Sequence, residues 1–163
     1  LFFLKDNLAI TPNLINDSIA IKTQIVKDDF LDLGVRRRLN FGHTIGHAIE
    51  ANSLKISEEN EALSHGISVA LGMVVECYIS HKVVGFSADQ LSEVSTVLGG
   101  LVKSVYDEIP EVDDLIPYLT RDKKNFNDSI NCTLLLEIGE ANHDYEIGEE
   151  LIKAGFEYLK SLK

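Results

Sequence analysis

Arg36-Arg37-Arg38-Leu39-Asn40-Phe41-Gly42-His43-Thr44-Ile45-Gly46-His47-Ala48-Ile49-Glu50 holds two of the chain's five histidines, four residues apart, directly after its only run of arginines. Read as a helix from Asn40 onward, at about 100° per residue, it places Asn40, His43, His47 and Ala51 within an arc of about 80°. Phe41, Ile45, Ala48 and Ile49 then lie on the other side. Such a helix buries one face against a core while the other presents an amide and two imidazoles to a shared cavity. The same phase carried back to Arg36 puts its guanidinium on the imidazole side.

Around this stretch the chain is acidic and ordinary in its apolar content. The 163 residues carry a formal charge of −11, with 45% hydrophobic and 25% charged residues. That length suits one domain, residues 1–163, able to bury about 70% of the surface its unfolded form exposes. No apolar run reaches the roughly 18 residues of a membrane span, and no signal-peptide pattern opens the chain. The first residue is Leu rather than Met, as expected for a piece of a longer protein. Two widely spaced cysteines, Cys77 and Cys132, imply no disulfide framework, so a reducing, cytoplasmic setting is the expectation. The charge argues against nucleic acid or an anionic membrane as partner. It leaves room for a small anion, because screening confines distant charges to about 8–10 Å and Arg36 to Arg38 can seed a basic pocket.

In order along the chain, residues 1–8 read as the tail of a helix. Thr11-Pro12 is a helix-start signal, and the helical pattern then runs to about Asp29. Ile15, Ile19 and Val26 form an apolar stripe, flanked by Leu14, Ile21 and Ile25. Lys22 projects near its middle, where a lysine either snorkels to the edge of a core or is held inward to meet an anion. A loop over residues 28–34 precedes the helix expected over 36–51. Residues 52–60 are polar, with Ser57 a candidate N-cap for a strongly apolar, buried central helix over residues 61–83. On that helix His65, Val69, Gly72 and Glu76 share a face, and the small Gly72 permits a close neighbour.

Ser87 caps a helix expected to end at Gly99-Gly100. Short helices follow over residues 101–108 and 112–119, then the Thr120-Arg121-Asp122-Lys123-Lys124-Asn125 loop. Residues 133–138 and 145–147 form a hairpin around a turn at 139–144. A last amphipathic helix covers residues 149–162, with Leu151, Ile152, Phe156, Leu159 and Leu162 on one side. The fold expected is mainly α, a helical bundle with one small β-hairpin.

Metal binding needs neutral imidazole nitrogens or carboxylate oxygens converging at about 2 Å from an ion. His43 and His47 can both reach one ion, but His-x-x-x-His alone is more often structural or solvent-facing. His65 on a neighbouring apolar helix strengthens a shared site. His81 and His143, beside expected element ends, read as surface residues.

Arg36-x-x-x-Asn40-Phe-Gly-His43-Thr-Ile-Gly-His47-Ala-Ile-Glu50, followed by His65-Gly66-x-x-Val69-Ala-x-Gly72-Met73, resembles the signature of the 3-dehydroquinate synthases and, more broadly, of the sugar-phosphate cyclases. The Lys22 helix and the Asp122-Lys123-Lys124-Asn125 loop match that pattern too. The resemblance covers nearly the whole chain but only the family's C-terminal helical half. It implies a lyase of the shikimate pathway of aromatic amino acid biosynthesis, a cytoplasmic homodimer using NAD and a divalent metal, zinc or cobalt. The implied substrate is a small phosphorylated sugar, 3-deoxy-D-arabino-heptulosonate 7-phosphate. It is converted to 3-dehydroquinate and phosphate by oxidation, phosphate elimination, reduction, ring opening and aldol closure.

By position the resemblance makes His43 and His65 metal ligands and directs Lys22, Arg36, Asn40 and His47 to the substrate, with His47 near the phosphate. One of Lys123 and Lys124 would pair with that phosphate. The family's third ligand, a glutamate in an Ala-Glu-x-x-Lys segment, and its NAD-binding Rossmann half would precede Leu1, so this stretch alone is expected to be catalytically inert. His65-Gly66-Ile67 stands where the family usually has His-Gly-Glu, and the missing glutamate is expected to be a supporting group. The rivals are another cyclase such as 2-deoxy-scyllo-inosose synthase, a glycerol dehydrogenase-like metal-dependent enzyme, and a helical module without chemistry.

Overall fold

The computed structural model describes residues 11–57, 62–120 and 130–163. The helical tail expected at residues 1–8, the expected start of the central helix at Glu61, and the loop carrying Lys123 and Lys124 lie outside the described residues. The order is α1 (Pro12–Asp28), a 3-10 helix (Val35–Asn40), α2 (His43–Ile56), α3 (His65–Val83), α4 (Ala88–Val102), a second 3-10 helix (Lys103–Glu108), α5 (Val112–Leu119), β1 (Ile130–Glu137), β2 (Glu140–Ile147) and α6 (Glu149–Ser161). Among the described residues no helix is long and apolar enough to cross a membrane.

α3 is the axis of the molecule. It is apolar or small nearly all round, as a helix must be when it packs on several sides. It lies against α2, α4, α6 and β1, and Leu71, Val74, Val75, Cys77 and Ile79 are fully buried. α6 supplies Ile152, Phe156 and Leu159 to the same core, in agreement with its expected apolar side. α5 matches the expected residues 112–119, and Ser87 accepts from the Gln90 N–H at 3.1 Å as the N-cap of α4.

The crossing of α2 and α3 is set by glycines. A Cβ at Gly72 would meet the Gly42 carbonyl oxygen at 2.2 Å and the Gly46 nitrogen at 2.6 Å, while one at Gly46 would meet the Val69 Cα at 2.8 Å. The two backbones therefore touch, as the small residue at 72 foretells.

Several expectations are corrected. The continuous helix over residues 36–51 is broken at Phe41-Gly42, where Gly42 takes a left-handed φ of 80°. The segment before the break is a 3-10 helix and the one after it runs on to Ile56. Ser57, expected as an N-cap, is the C-cap of α2, its N–H donating to the Ser53 carbonyl. α4 continues through Gly99-Gly100 to Val102, since two glycines cost helix propensity without forbidding helix. The segment after it is 3-10, not α.

The hairpin turn is Ile138-Gly139, with Gly139 at φ 100°, so β2 begins at Glu140 rather than after Asp144. α1 starts as expected, with Thr11 Oγ1 accepting the Leu14 N–H at 3.2 Å, but its apolar stripe is not covered. No residue of α1 is buried, and the helix packs against the 3-10 turn at Val35–Asn40.

β1 and β2 pair antiparallel, Ile130 opposite Ile147 and Cys132 opposite Tyr145. Between the Cys132–Tyr145 and Leu134–Asn142 pairs β2 holds one extra residue, a bulge that re-aims side chains. Asp144 within it has a φ of 64°, a left-handed conformation that aspartate tolerates better than most residues. β1 is tied to the helices through side chains: the Ser80 hydroxyl accepts the Leu135 N–H at 3.0 Å, and the Thr44 hydroxyl donates to the Asn131 carbonyl at 2.9 Å.

Gly72→Ala places its methyl against backbone that cannot step aside, so it is expected to cost about 2–3 kcal/mol, a fall in Tm of roughly 5–10 °C. Gly66→Ala on the same helix meets nothing within 4 Å and should be neutral or stabilising by up to about 1 kcal/mol. Thermal melts of the two variants check the contrast.

Candidate metal and substrate site

α2 begins where it does because a carboxyl group from α3 receives it. The Gly42 N–H donates to Glu76 Oε2 at 2.7 Å and the Ile45 N–H to Oε1 at 3.5 Å. No side chain of α2's own segment caps this end, so Glu76 does the work of an N-cap from across the interface. Burial pushes the Glu76 pKa from 4.5 up to about 8, with the N–H groups of Gly42, Ile45 and Thr44 opposing the rise. The helix start thus fixed puts His43 on the first turn of α2 and His47 one turn later, beside His65 at the first position of α3.

The three imidazoles converge. One ring nitrogen from each of His43, His47 and His65 lies within 4.8 Å of the other two. Their ring centroids are 5.3 Å apart for His43–His47, 5.6 Å for His43–His65 and 5.7 Å for His47–His65. A tetrahedral ion about 2.1 Å from each nitrogen would set them about 3.4 Å apart, so the cluster is slightly open.

The chemistry of the donors fits such an ion. His43 Nδ1 lies 3.2 Å from the Phe41 carbonyl, and His65 Nδ1 lies 3.0 Å from Glu50 Oε2. Both partners accept, so a proton on Nδ1 makes each contact a hydrogen bond and leaves the Nε2 lone pair for a ligand. Desolvation lowers the His43 pKa, with help from the charges of His47, His65 and Lys22 against the Phe41 hydrogen bond. A lowered value keeps the imidazole in the neutral form that coordinates.

Beside these rings opens a cavity of about 190 Å³, walled by Asn40, His43, Thr44 and His47 on one side and by Asn131 to Thr133, His143 and Asp144 of the hairpin on the other, with Arg37 between. Arg37, not Arg36, faces this cavity. Residues 35–40 turn at about three per turn, so Arg37 eclipses Asn40, whereas an α-helical phase would favour Arg36. The Arg36 guanidinium instead donates to the Phe30 carbonyl at 3.1 Å. Its backbone N–H, with those of Leu33 and Gly34, binds the Asp29 carboxylate, which these bonds hold below its ordinary pKa, Leu33's most of all.

Of the residues singled out from sequence, the structure brings Asn40, His43, His47 and His65 together. Lys22 is exposed on α1 yet close enough for its charge to act on His43. Lys123 and Lys124 lie outside the described residues.

Sequence reading missed the hairpin wall. His143, read as a surface residue, lines the cavity and meets Asp144 Oδ2 at 2.8 Å, and Arg37 Nη1 reaches the same oxygen at 2.8 Å. Burial alone would raise the Asp144 pKa, but the His143 hydrogen bond and the Arg37 charge outweigh it and hold the carboxyl below its ordinary value. The bulge that aims these two residues leaves no mark in a hydropathy pattern. Glu50 was in plain view, but its partner, 15 residues on, was not.

The family description of the 3-dehydroquinate synthase C-terminal domain matches residues 3–125. The chain belongs to this family. The 3-dehydroquinate synthase of Parabacteroides distasonis is 36% identical over 155 residues, covering 94% of this chain and 43% of that protein. The 3-dehydroquinate synthase of Pyrococcus furiosus is 36% identical over 154 residues, covering 91% and 41%. The chain thus spans about two fifths of the length of these curated relatives.

Among solved structures, a 2-deoxy-scyllo-inosose synthase complexed with carbaglucose-6-phosphate, NAD+ and Co2+ matches with a TM-score of 0.70 at 24% identity, over 91% of this chain and 41% of that one. A 2-epi-5-epi-valiolone synthase from Streptomyces hygroscopicus subsp. jinggangensis, with NAD+ and Zn2+ bound, matches at 0.71 and 17% identity, over 93% and 40%. Both likenesses establish the fold, the mainly α C-terminal domain with its hairpin that the sequence led us to expect.

Because folding raises the Glu76 pKa, between about pH 4.5 and 8 the folded family member holds a proton the unfolded chain has released. Its contribution to stability is therefore complete below about pH 4.5 and is lost as pH rises through about 8. Urea midpoints measured from about pH 5 to 8 should fall more steeply for the wild type than for Glu76→Gln.

Proposed function

We propose that this chain is the metal- and substrate-binding domain of a 3-dehydroquinate synthase. The whole enzyme would convert 3-deoxy-D-arabino-heptulosonate 7-phosphate to 3-dehydroquinate and phosphate. The observation that carries the reading is the convergence of His43, His47 and His65 at the positions the family signature assigns. The curated relatives at 36% identity support this reaction over those of the more distant cyclase structures.

In this reading His43 and His65 hold a divalent ion, Zn2+ or Co2+, through Nε2. A bound ion would supply Lewis-acid polarisation of substrate oxygens. The chain's own residues do the rest of the binding. Asn40 offers an amide to substrate hydroxyls, and His47 presents its ring towards the phosphate. Lys22 adds positive charge near His43, and one of Lys123 and Lys124 completes the anion-binding set. Arg37 supplies its guanidinium in place of Arg36, already held by Asp144 and by the Asp32 carbonyl, to which its Nε donates at 3.2 Å.

NAD does not fit the residues present. Among the described residues the only sheet is a two-stranded antiparallel hairpin, with no parallel strand leading through a glycine-rich turn into a helix. NAD, the carboxylate ligand and the Rossmann domain are assigned to the part of the relatives this chain does not span. In this reading the full enzyme is a cytoplasmic homodimer, a proposal that the family resemblance alone supports.

Two measurements test the reading. Incubated with the sugar phosphate, NAD and zinc, these 163 residues should release phosphate no faster than a blank, and turnover at an ordinary enzyme rate would refute the division of labour. In NMR titrations with Zn2+ present, the heptulosonate phosphate should shift the Asn40 and His47 signals, and His47→Ala should weaken binding about tenfold, or about 1.4 kcal/mol. An equal response to a hexose 6-phosphate would favour a different cyclase.

A further inference from the structure

His65 opens α3, and its ring is the more exposed of the two assigned to the ion: its side chain is 54% exposed. A ring in that position has rotational freedom and, in water, prefers its proton on Nε2, the nitrogen a ligand needs bare. Two residues on, where a supporting carboxylate was expected, stands Ile67, which packs against the core and has no acceptor to offer. A carboxylate nevertheless reaches His65, from the other helix. Glu50 lies three residues after His47 on α2, with its side chain 27% exposed, and Oε2 sits 3.0 Å from His65 Nδ1. The glycine contact between α2 and α3 holds the two backbones in place, so this pair is preset by the helix crossing.

We propose that Glu50 is a positioning residue for His65. By accepting the Nδ1 proton it fixes the tautomer and turns Nε2, with its lone pair, towards the space shared with His43. The ligand served is a divalent cation of borderline softness, and the proposal deepens the metal reading above and rests on it. His43 has the same arrangement with a neutral acceptor, the Phe41 carbonyl, so the two rings are oriented independently. A charged acceptor also raises the basicity of the ring it holds, which strengthens the metal bond.

The experiment uses the chain labelled with 15N at the imidazoles, above the ordinary histidine pKa, with long-range proton–nitrogen correlations reporting the tautomer. The wild type should show His65 protonated on Nδ1. In Glu50→Met and Glu50→Ala, which lack a carboxylate, it should move to Nε2–H, while Glu50→Gln keeps an acceptor and restores Nδ1–H. His43 should be unchanged throughout. Titrated with Co2+, the Met and Ala variants should bind about 10–100-fold more weakly than the wild type, with Gln in between. A wild-type His65 protonated on Nε2, or a tautomer indifferent to Glu50, would overturn the proposal even if Co2+ binds. A chain that takes up no Co2+ while its tautomers respond as described would instead sink the metal reading and leave the Glu50–His65 coupling standing.

Discussion

The Glu76 carboxyl group is the contact on which the site's geometry depends. It lies fully buried on α3 and accepts the first N–H groups of α2. A helix start needs partners for its free N–H groups, and here a neighbouring helix provides them rather than a local serine or aspartate. For the carboxylate to reach, the two backbones must nearly touch, which is why Gly42, Gly46 and Gly72 all stand at the crossing. Once that crossing is set, the backbones that carry His43 and His47 on one helix and His65 on the other stand side by side, and the Phe41 carbonyl and Glu50 carboxylate meet the His43 and His65 rings.

What surrounds the crossing turns this into a site. β1 is pinned to α2 by Thr44 and to α3 by Ser80, so the hairpin forms the opposite wall of the cavity. Its bulge brings His143 and Asp144 to that wall, and Asp144 orients Arg37 across from it. The chain's charge of −11 is no obstacle. Arg37 lines one cavity with His43 and His47, the Lys22 charge acts on His43, and at short range local groups decide the potential.

Much of this was legible in the residues alone. The spacing of His43 and His47 gave the polar face of α2, and the apolar run after His65 gave the buried axis. The small residue at 72 gave the close neighbour. What was not legible has physical causes. A 100° phase cannot be carried through a 3-10 turn, so Arg36 was favoured where Arg37 faces the cavity. The stripe on α1 was read as core-facing, but periodicity shows only that a helix has an apolar side, not what covers it; Ile19 and Ile21 are 58% and 61% exposed. The hairpin turn was misplaced because Ala141 to Asp144 are polar or small, as turn residues are, although here they are strand and bulge. Glu76 was seen to share a face with His65, yet nothing local reveals that a carboxylate will cap a helix 34 residues earlier.

The glycine-to-backbone contact has a mechanical meaning as well. Where Gly42, Gly46 and Gly72 meet, no side chain stands between α2 and α3, so at that point neither helix can slide towards the other. The backbones under the rings at 43 and 65 are thereby set one against the other, whereas α1, with no buried residue, has no such contact.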